Sequence, residues 1–185
     1  MNIVTTFDRA ANAAVAVARG VQPEQFDSPT PCSGWNVEQL MNHLIGTLEY
    51  FTARADGRDA GRPESASPTS YEETVDHLQR VAQAAAAAWR QPGVLDQTIT
   101  TTAGAMPASF LANLSLSEML THTWDLARAT GQRMSVEDVD VDGVLLGIRQ
   151  TLKPEARQPA FGPELQAAEG APAIDRLVAF LGRQP

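Results

Sequence analysis

The stretch from Phe110 to Ala129 reads FLANLSLSEMLTHTWDLARA, and it decides the fold. Its apolar residues recur on nearly every side of a helix, so we predict a helix that lies in the protein interior. Glu118 and His122 are four residues apart, which is about one helical turn, and both therefore project from the same face. An unpaired buried carboxylate is strongly destabilising. We therefore expect the two side chains to share a partner, and a metal ion is one of the few groups that satisfies both.

The chain has only three histidines, so the search for a third ligand is short. His43 lies in a stretch from Trp35 to Phe51 whose apolar residues are spaced three and four apart, and it flanks that apolar stripe. His77 lies in a helix whose buried side is mostly alanine, so we expect it at the surface or the boundary of the core. Two histidines and a glutamate suit Zn²⁺, and also Ni²⁺ or Fe²⁺, with a position left for water or substrate.

The sequence thus predicts a divalent-metal site formed by His43, Glu118 and His122. A second interpretation stays open at this point. Glu118 and His122 also fit a buried hydrogen-bonded network that stabilises the helices without any metal. Which metal is bound, zinc, nickel or iron, depends on geometry and availability rather than on the ligand types.

Length and charge limit the classes of function. A chain of 185 residues fits one domain that needs no structural metal or disulfide to hold its core. It carries 14 Lys and Arg against 22 Asp and Glu, a formal charge of -8, which argues against nucleic acid or an anionic membrane as the main partner. The single cysteine excludes an intrachain disulfide and fits a reducing compartment.

Two features argue against export and membrane insertion. The alanine-rich stretch from Ala10 to Ala18 follows Asp8 and Arg9 and fits an amphipathic helix better than a secretory signal. No run of the sequence reaches the roughly 18 apolar residues that a membrane span requires. We therefore expect a cytoplasmic protein that acts on small molecules.

Proline and glycine separate six predicted helices. Their predicted ranges are about Ile3–Arg19, Asn36–Ala53, Ser70–Arg90, Pro107–Thr130, Val136–Thr151 and Ala171–Leu181. Ser70 and Glu73 have the spacing of a capping box at the start of the third helix. The threonine-rich stretch from Leu95 to Ala105 predicts an extended segment or a short hairpin, and the Gly- and Pro-rich stretch from Asp56 to Thr69 predicts an exposed loop.

This order of elements predicts an all-α fold. We expect a four-helix bundle with a short extended segment before its fourth helix and two further short helices at the C-terminal end. We expect one domain over residues 1–185, with the bundle in about residues 1–131 and an extension in residues 132–185. The sequence contains no internal repeat.

Two motifs connect the chain with a known family. They are the turn Thr30–Trp35 (TPCSGW) ahead of the helix with His43, and the pattern Glu118-x-x-x-His122-x-x-Asp125 in the fourth helix. Together they resemble the DinB-like superfamily, and more narrowly the metal-binding N-terminal domain of mycothiol-dependent maleylpyruvate isomerases and their uncharacterised actinobacterial relatives. The likeness runs from the first helix to about Gly131. A further stretch, FGPEL at residues 161–165, resembles one subgroup of those relatives.

The resemblance implies a ligand set and a chemistry. In that family a histidine of the second helix and a Glu-x-x-x-His of the fourth bind a divalent metal, usually taken as zinc, and these positions match His43, Glu118 and His122. The family implies mycothiol as a cosubstrate, whose thiolate attacks an electrophilic carbon. The expected partners are therefore a small-molecule thiol and an electrophilic substrate. DinB-like proteins often pair through their helices, so a homodimer stays open.

One departure limits what the resemblance implies. The isomerases carry a further C-terminal domain that contributes to their active site, whereas only two short helices are expected here after Gly131. We therefore do not assign maleylpyruvate isomerisation itself. Thiol-dependent transfer and metal binding without catalysis both stay open.

Two residues near the motifs have alternative interpretations. Asp125 could accept a hydrogen bond from a ligand histidine, which fixes the ring's tautomer, or could pair with Arg128 three residues later. Cys32 follows the two prolines of its loop, Pro29 and Pro31, and no Lys, Arg or His lies within ten residues of it. We therefore expect Cys32 to be an inert rather than a reactive cysteine.

Overall fold

The computed structural model describes residues 2–59, 70–101, 104–154, 157 and 161–185. The described helices are α1 (Ile3–Gly20), α2 (Val37–Ala55), α3 (Tyr71–Trp89), α4 (Ala108–Thr130), α5 (Asp138–Thr151) and α6 (Ala173–Phe180). Six helices were predicted, and each predicted range agrees with one of them to within about two residues. Most of the exposed loop predicted over residues 56–69 lies outside the described residues.

The first four helices form a bundle in which α1 and α2 each pack against both α3 and α4. The predicted all-α four-helix bundle is therefore confirmed. Alanine and valine dominate the buried sides of α1 and α3, so these helices can approach closely. Phe7 and Trp89 fill the space between them as a stacked pair, with ring centroids 6.0 Å apart.

Local side-chain chemistry starts and ends the helices that hold the site. The side chain of Asn36 accepts a hydrogen bond from the backbone N–H of Gln39, and the Gln39 side chain accepts one from the backbone N–H of Asn36. This capping box begins α2. Ser70 and Glu73 form the predicted capping box of α3. Helix α4 ends where Gly131 takes a left-handed conformation with φ of 70°, which a residue without Cβ adopts easily.

A short hairpin precedes α4. Strands β1 (Thr98–Thr101) and β2 (Gly104–Pro107) pair in antiparallel register, with Ile99 opposite Met106. The predicted extended segment is therefore a hairpin. Pro107 was predicted in the first turn of the fourth helix, but it precedes Ala108 as the N-cap residue, still extended with ψ of 135°, because β2 continues to that point.

Helices α5 and α6 pack against each other and against α4. The indole nitrogen of Trp124 on α4 donates to Asp175 on α6 at 3.2 Å, and the Asn113 side chain donates to the carbonyl of Val144 on α5 at 3.2 Å. With the bundle on one side and the extension on the other, α4 is buried along most of its length, as predicted. Within the described residues, no helix combines the length and the apolar character that crossing a membrane requires.

Candidate metal centre

The three predicted ligands come together at one end of the bundle. His43 on α2 faces Glu118 and His122 on α4 across the interior. Glu118 Oε2 lies 3.1 Å from His122 Nε2 and 3.8 Å from His43 Nε2. The two imidazole rings meet edge to face, with centroids 4.8 Å apart. Residues 75 and more positions apart in sequence therefore present two nitrogens and one oxygen to a single point.

These distances fit the ligand set of one small divalent cation. The donor atoms of His43, Glu118 and His122 all lie within 4.8 Å of one another. Donors bound to one tetrahedral zinc ion at about 2.1 Å lie roughly 3.4 Å apart, which is between the two distances to Glu118 Oε2. Neutral imidazole nitrogen and carboxylate oxygen are also the donor types that Zn²⁺, Ni²⁺ and Fe²⁺ accept. The residues thus fit the metal that the sequence predicted.

The second nitrogen of His122 has a partner of its own. Its Nδ1 lies 3.0 Å from Asp125 Oδ2, and Asp125 is fully buried. An ionised carboxylate can only accept a hydrogen bond, so Nδ1 is the donor and Nε2 is the atom free to bind a metal. Of the two interpretations left open for Asp125, the structure selects the contact with His122. Arg128 instead stacks over the Trp124 ring.

Opposite charges hold these buried groups in their ionised forms. Burial by itself would raise the pKa of Glu118, but hydrogen bonds from His122 and then His43 outweigh it and leave this pKa far below its usual range. Burial would lower the pKa of His122, yet the hydrogen bond to Asp125 raises it well above its usual value. Without a metal, these contacts therefore favour the charged forms of Glu118 and His122.

Cys32 lies beside this network, although we expected an inert cysteine. Its Sγ lies 3.1 Å from Asp125 Oδ2 and 3.7 Å from His122 Nδ1. The hydroxyl of Thr30 donates to the carbonyl of Trp35 at 2.9 Å and accepts from the Cys32 backbone, which closes the loop and turns the thiol inward. The sequence analysis examined only sequence neighbours, whereas the charged groups near this sulfur are 90 and more positions away. That Cys32 is inert stays a prediction.

Arg183 is a site residue that the sequence analysis missed. Its Nε lies 3.2 Å from Asp125 Oδ1 and its Nη2 lies 3.0 Å from Oδ2. The guanidinium therefore makes a bidentate pair of hydrogen bonds with the carboxylate. The same Nη2 lies 3.5 Å from Cys32 Sγ. No sequence signal singled out this arginine, which is 58 positions beyond Asp125.

Two groups of residues could hold a metal ion, and the position of Arg183 indicates which of them is the better candidate. Besides the predicted set, Cys32, His122 and Asp125 bring a sulfur, a nitrogen and an oxygen together. The guanidinium of Arg183 already supplies a positive charge to that second cluster, and a further cation there would be repelled. The set with His43 and Glu118 has no such cation among the described residues, so it is the better candidate.

A cavity of about 570 Å³ opens onto the predicted ligands. The loop with Cys32 and Trp35 forms one wall, and the indole of Trp35 packs against the His43 ring with centroids 4.5 Å apart. Phe161, Leu181 and neighbouring residues of the extension form the opposite wall. The cavity therefore lies between the bundle and the extension, and it is large enough for a small molecule next to the candidate metal.

His77 lies away from this centre. Its Nε2 lies 2.8 Å from the Glu49 carboxylate, and 36% of the His77 side chain and 51% of the Glu49 side chain are exposed. The expected surface or boundary position of His77 is therefore correct. This histidine provides a matched control for variants of the other two.

Comparisons with known proteins agree with this fold. A family model described as the mycothiol maleylpyruvate isomerase N-terminal domain matches residues 7–127. Two uncharacterised proteins of Mycobacterium tuberculosis, MT0763 of strain CDC 1551 / Oshkosh and Rv0738 of strain ATCC 25618 / H37Rv, are each 33% identical over 189 residues. The alignment covers 99% of this chain and 98% of either relative.

A solved structure has the same fold at lower similarity. The crystal structure of the mycothiol-dependent maleylpyruvate isomerase superposes with a TM-score of 0.53 at 18% identity. The match covers 78% of this chain and only 65% of the isomerase. The family match and the two full-length relatives identify the family predicted from the two motifs: this chain belongs to the mycothiol maleylpyruvate isomerase N-terminal domain family.

Proposed function

We propose that this protein binds one divalent cation through His43, Glu118 and His122 and acts with mycothiol on an electrophilic small molecule. The observation that carries the proposal is the convergence of two imidazole nitrogens and one carboxylate oxygen on the wall of a cavity. The thiol is inferred from the names of the family and of the isomerase, both of which specify mycothiol. The reaction class we propose is addition or transfer of the thiol to an electrophilic carbon.

The cation and the residues around it would support this chemistry together. When bound, a divalent cation would stabilise the thiolate form of a thiol and lower its pKa. Asp125 holds His122 with Nε2 toward the other two ligands. Apolar side chains of Trp35, Phe161 and Leu181 line part of the cavity, and electrostatic interactions beside such groups are less screened than in bulk water.

Metal content tests the first half of the proposal. Untagged protein should contain about one divalent metal per chain by elemental analysis, and His77→Ala should contain as much. His43→Ala and His122→Ala should lose most of the metal, because each removes one of three protein ligands. If the parent protein contains no metal and cannot be loaded with Zn²⁺, Ni²⁺ or Fe²⁺, the proposal is wrong.

Thermal unfolding with and without mycothiol tests the second half. A ligand at about 100 times its Kd stabilises the folded state by about 2.7 kcal/mol, so the Tm of metal-loaded protein should rise. The same addition should have no effect after chelation or on His122→Ala. An unchanged Tm in the metal-loaded parent would contradict the binding of mycothiol but not the proposed metal site.

The alternative function is a structural network without metal. The direct contact of 3.1 Å between Glu118 Oε2 and His122 Nε2 favours it, because each side chain already provides the other with a hydrogen-bond partner. Under this alternative, His122→Ala lowers the free energy of unfolding and chelation leaves the Tm of the parent unchanged. The metal-site proposal expects chelation to lower that Tm.

A further inference from the structure

The extension contributes the guanidinium of Arg183, which contacts Asp125 beside the candidate metal centre. Asp125 carries a buried negative charge and accepts three kinds of hydrogen bond, from the His122 ring, the Cys32 thiol and the Arg183 guanidinium. Arg183 lies outside residues 7–127, the part of the chain that the family model matches. Of the two basic groups that stabilise the charge of Asp125, His122 lies within the family domain and Arg183 comes from a segment beyond it.

The geometry of this contact restricts the carboxylate. A single hydrogen bond would let the Asp125 carboxylate rotate about its Cβ–Cγ bond, which would carry Oδ2 away from His122. Two bonds from one planar guanidinium, at 3.2 and 3.0 Å, fix the plane of the carboxylate. Oδ2 is the atom that the His122 Nδ1 contacts, so the same fork determines which way the imidazole faces.

The backbone of the extension is built to deliver Arg183 to this position. Helix α6 ends in a Schellman motif, in which Gly182 N bonds to Ala179 O at 3.0 Å and Arg183 N bonds to Val178 O at 2.9 Å. Gly182 has φ of 90°, and a Cβ on it would approach Gly162 Cα to 2.7 Å. Only glycine at position 182 allows both the positive φ and the close approach to Gly162. The turn then directs the next residue, Arg183, at Asp125.

We propose that Arg183 is a positioning residue for the metal centre: it holds Asp125, and through Asp125 it keeps His122 Nε2 directed at His43 and Glu118. This inference rests on the proposed function, because the ligand role of His122 is part of that function. It adds that the extension is part of the metal centre as well as a wall of the cavity. Arg183 contacts no substrate or metal in this role.

Co²⁺ binding to purified protein tests the proposal, since Co²⁺ gives a visible absorption spectrum that depends on ligand geometry. Arg183→Met should bind Co²⁺ roughly tenfold more weakly than the parent, the lower end of the effect typical of groups that orient metal ligands. Arg183→Lys retains one charged donor and should fall between the two. Arg176→Met is the matched control, because Arg176 lies on α6 and pairs with Asp142 away from the site. It should bind like the parent.

A second measurement needs no metal. The proton on His122 Nδ1, hydrogen-bonded to a buried carboxylate, should give a separate downfield resonance in ¹⁵N-edited NMR spectra of the metal-free protein. Arg183→Met should shift or broaden that resonance, and Arg176→Met should leave it unchanged. A structural effect on folding alone would change the Tm without changing this signal.

The outcomes separate this proposal from the proposed function. If Arg183→Met has the affinity, Co²⁺ spectrum and Nδ1–H resonance of the parent, Arg183 is not a positioning residue. Weaker binding with an unchanged resonance also contradicts the proposal, because Arg183 would then act by another route. If the parent itself binds no Co²⁺, the metal-site function fails, and the proposed role of Arg183 toward a metal fails with it.

Discussion

At the scale of single residues, Asp125 connects the two halves of the site. It is fully buried, and hydrogen bonds from His122 and Arg183 lower its pKa even though burial by itself would raise it. In Asp125→Asn the amide cannot accept from both partners with the same strength, and Arg183 loses the one carboxylate that it contacts among the described residues. A buried charge deprived of its partner typically costs about 3–5 kcal/mol.

We therefore expect Asp125→Asn to lower the free energy of unfolding of the metal-free protein by about 3 kcal/mol in a denaturant titration. Asp142→Asn, which removes the exposed partner of Arg176, should cost less than about 1 kcal/mol. Equal losses in the two variants would mean that the buried network contributes no more to stability than a surface ion pair does.

At the scale of secondary-structure elements, the end of α6 determines where the guanidinium lies. A side chain at 182 would have to adopt φ of 90° and would collide with the backbone of Gly162, which cannot yield as a flexible side chain can. We expect Gly182→Ala to lower the free energy of unfolding by at least about 1 kcal/mol and to weaken Co²⁺ binding as Arg183→Met does. Gly170→Ala is the control, because Gly170 also has positive φ but nothing lies near its would-be Cβ.

The comparison of these two glycine variants separates backbone strain from the loss of Arg183. Both variants should be destabilised, and only Gly182→Ala should change Co²⁺ affinity. A parent-like affinity in Gly182→Ala would show that the chain can deliver Arg183 to Asp125 without this turn.

At the scale of the whole molecule, we propose that residues 1–185 fold as one domain. Polar bonds join α1 to α5, since the Asp140 carboxylate accepts from Thr6 at 2.9 Å and from Arg9 at 2.8 Å. Helix α4 is covered by the bundle on one side and by α5 and α6 on the other. Removing the extension would therefore expose buried surface of α4 to water.

Equilibrium unfolding tests whether residues 1–185 unfold as one domain. Far-ultraviolet circular dichroism reports all helices, and tryptophan fluorescence reports Trp35 beside the cavity, Trp89 in the bundle and Trp124 at the contact with α6. We expect one transition with the same midpoint by both probes. Asp140→Asn should move both midpoints together and lower the free energy of unfolding by about 1–3 kcal/mol, because it removes the negative charge and one of the two oxygens that accept from Thr6 and Arg9. Two separate transitions would contradict a single domain.

The sequence by itself determined the helices, the bundle and the three candidate ligands. Helix ends follow from local chemistry, as at Ser70 and Gly131, and the interior position of α4 follows from its apolar periodicity. Glu118 and His122 share a face because their spacing matches the helical repeat. His43 was identified because few histidines exist, and its family motif pointed to the same residue.

Only the tertiary structure decided what surrounds those ligands. The partner of Asp125 was ambiguous in the sequence, because a contact with His122 and one with Arg128 are both compatible with a helix. Cys32 and Arg183 reach the network from a loop and from the end of α6, and their contacts join residues 58–151 positions apart. Such contacts depend on the directions that turns give to the chain. No periodicity encodes those directions, so the charges around Asp125 could be assigned only from the folded molecule.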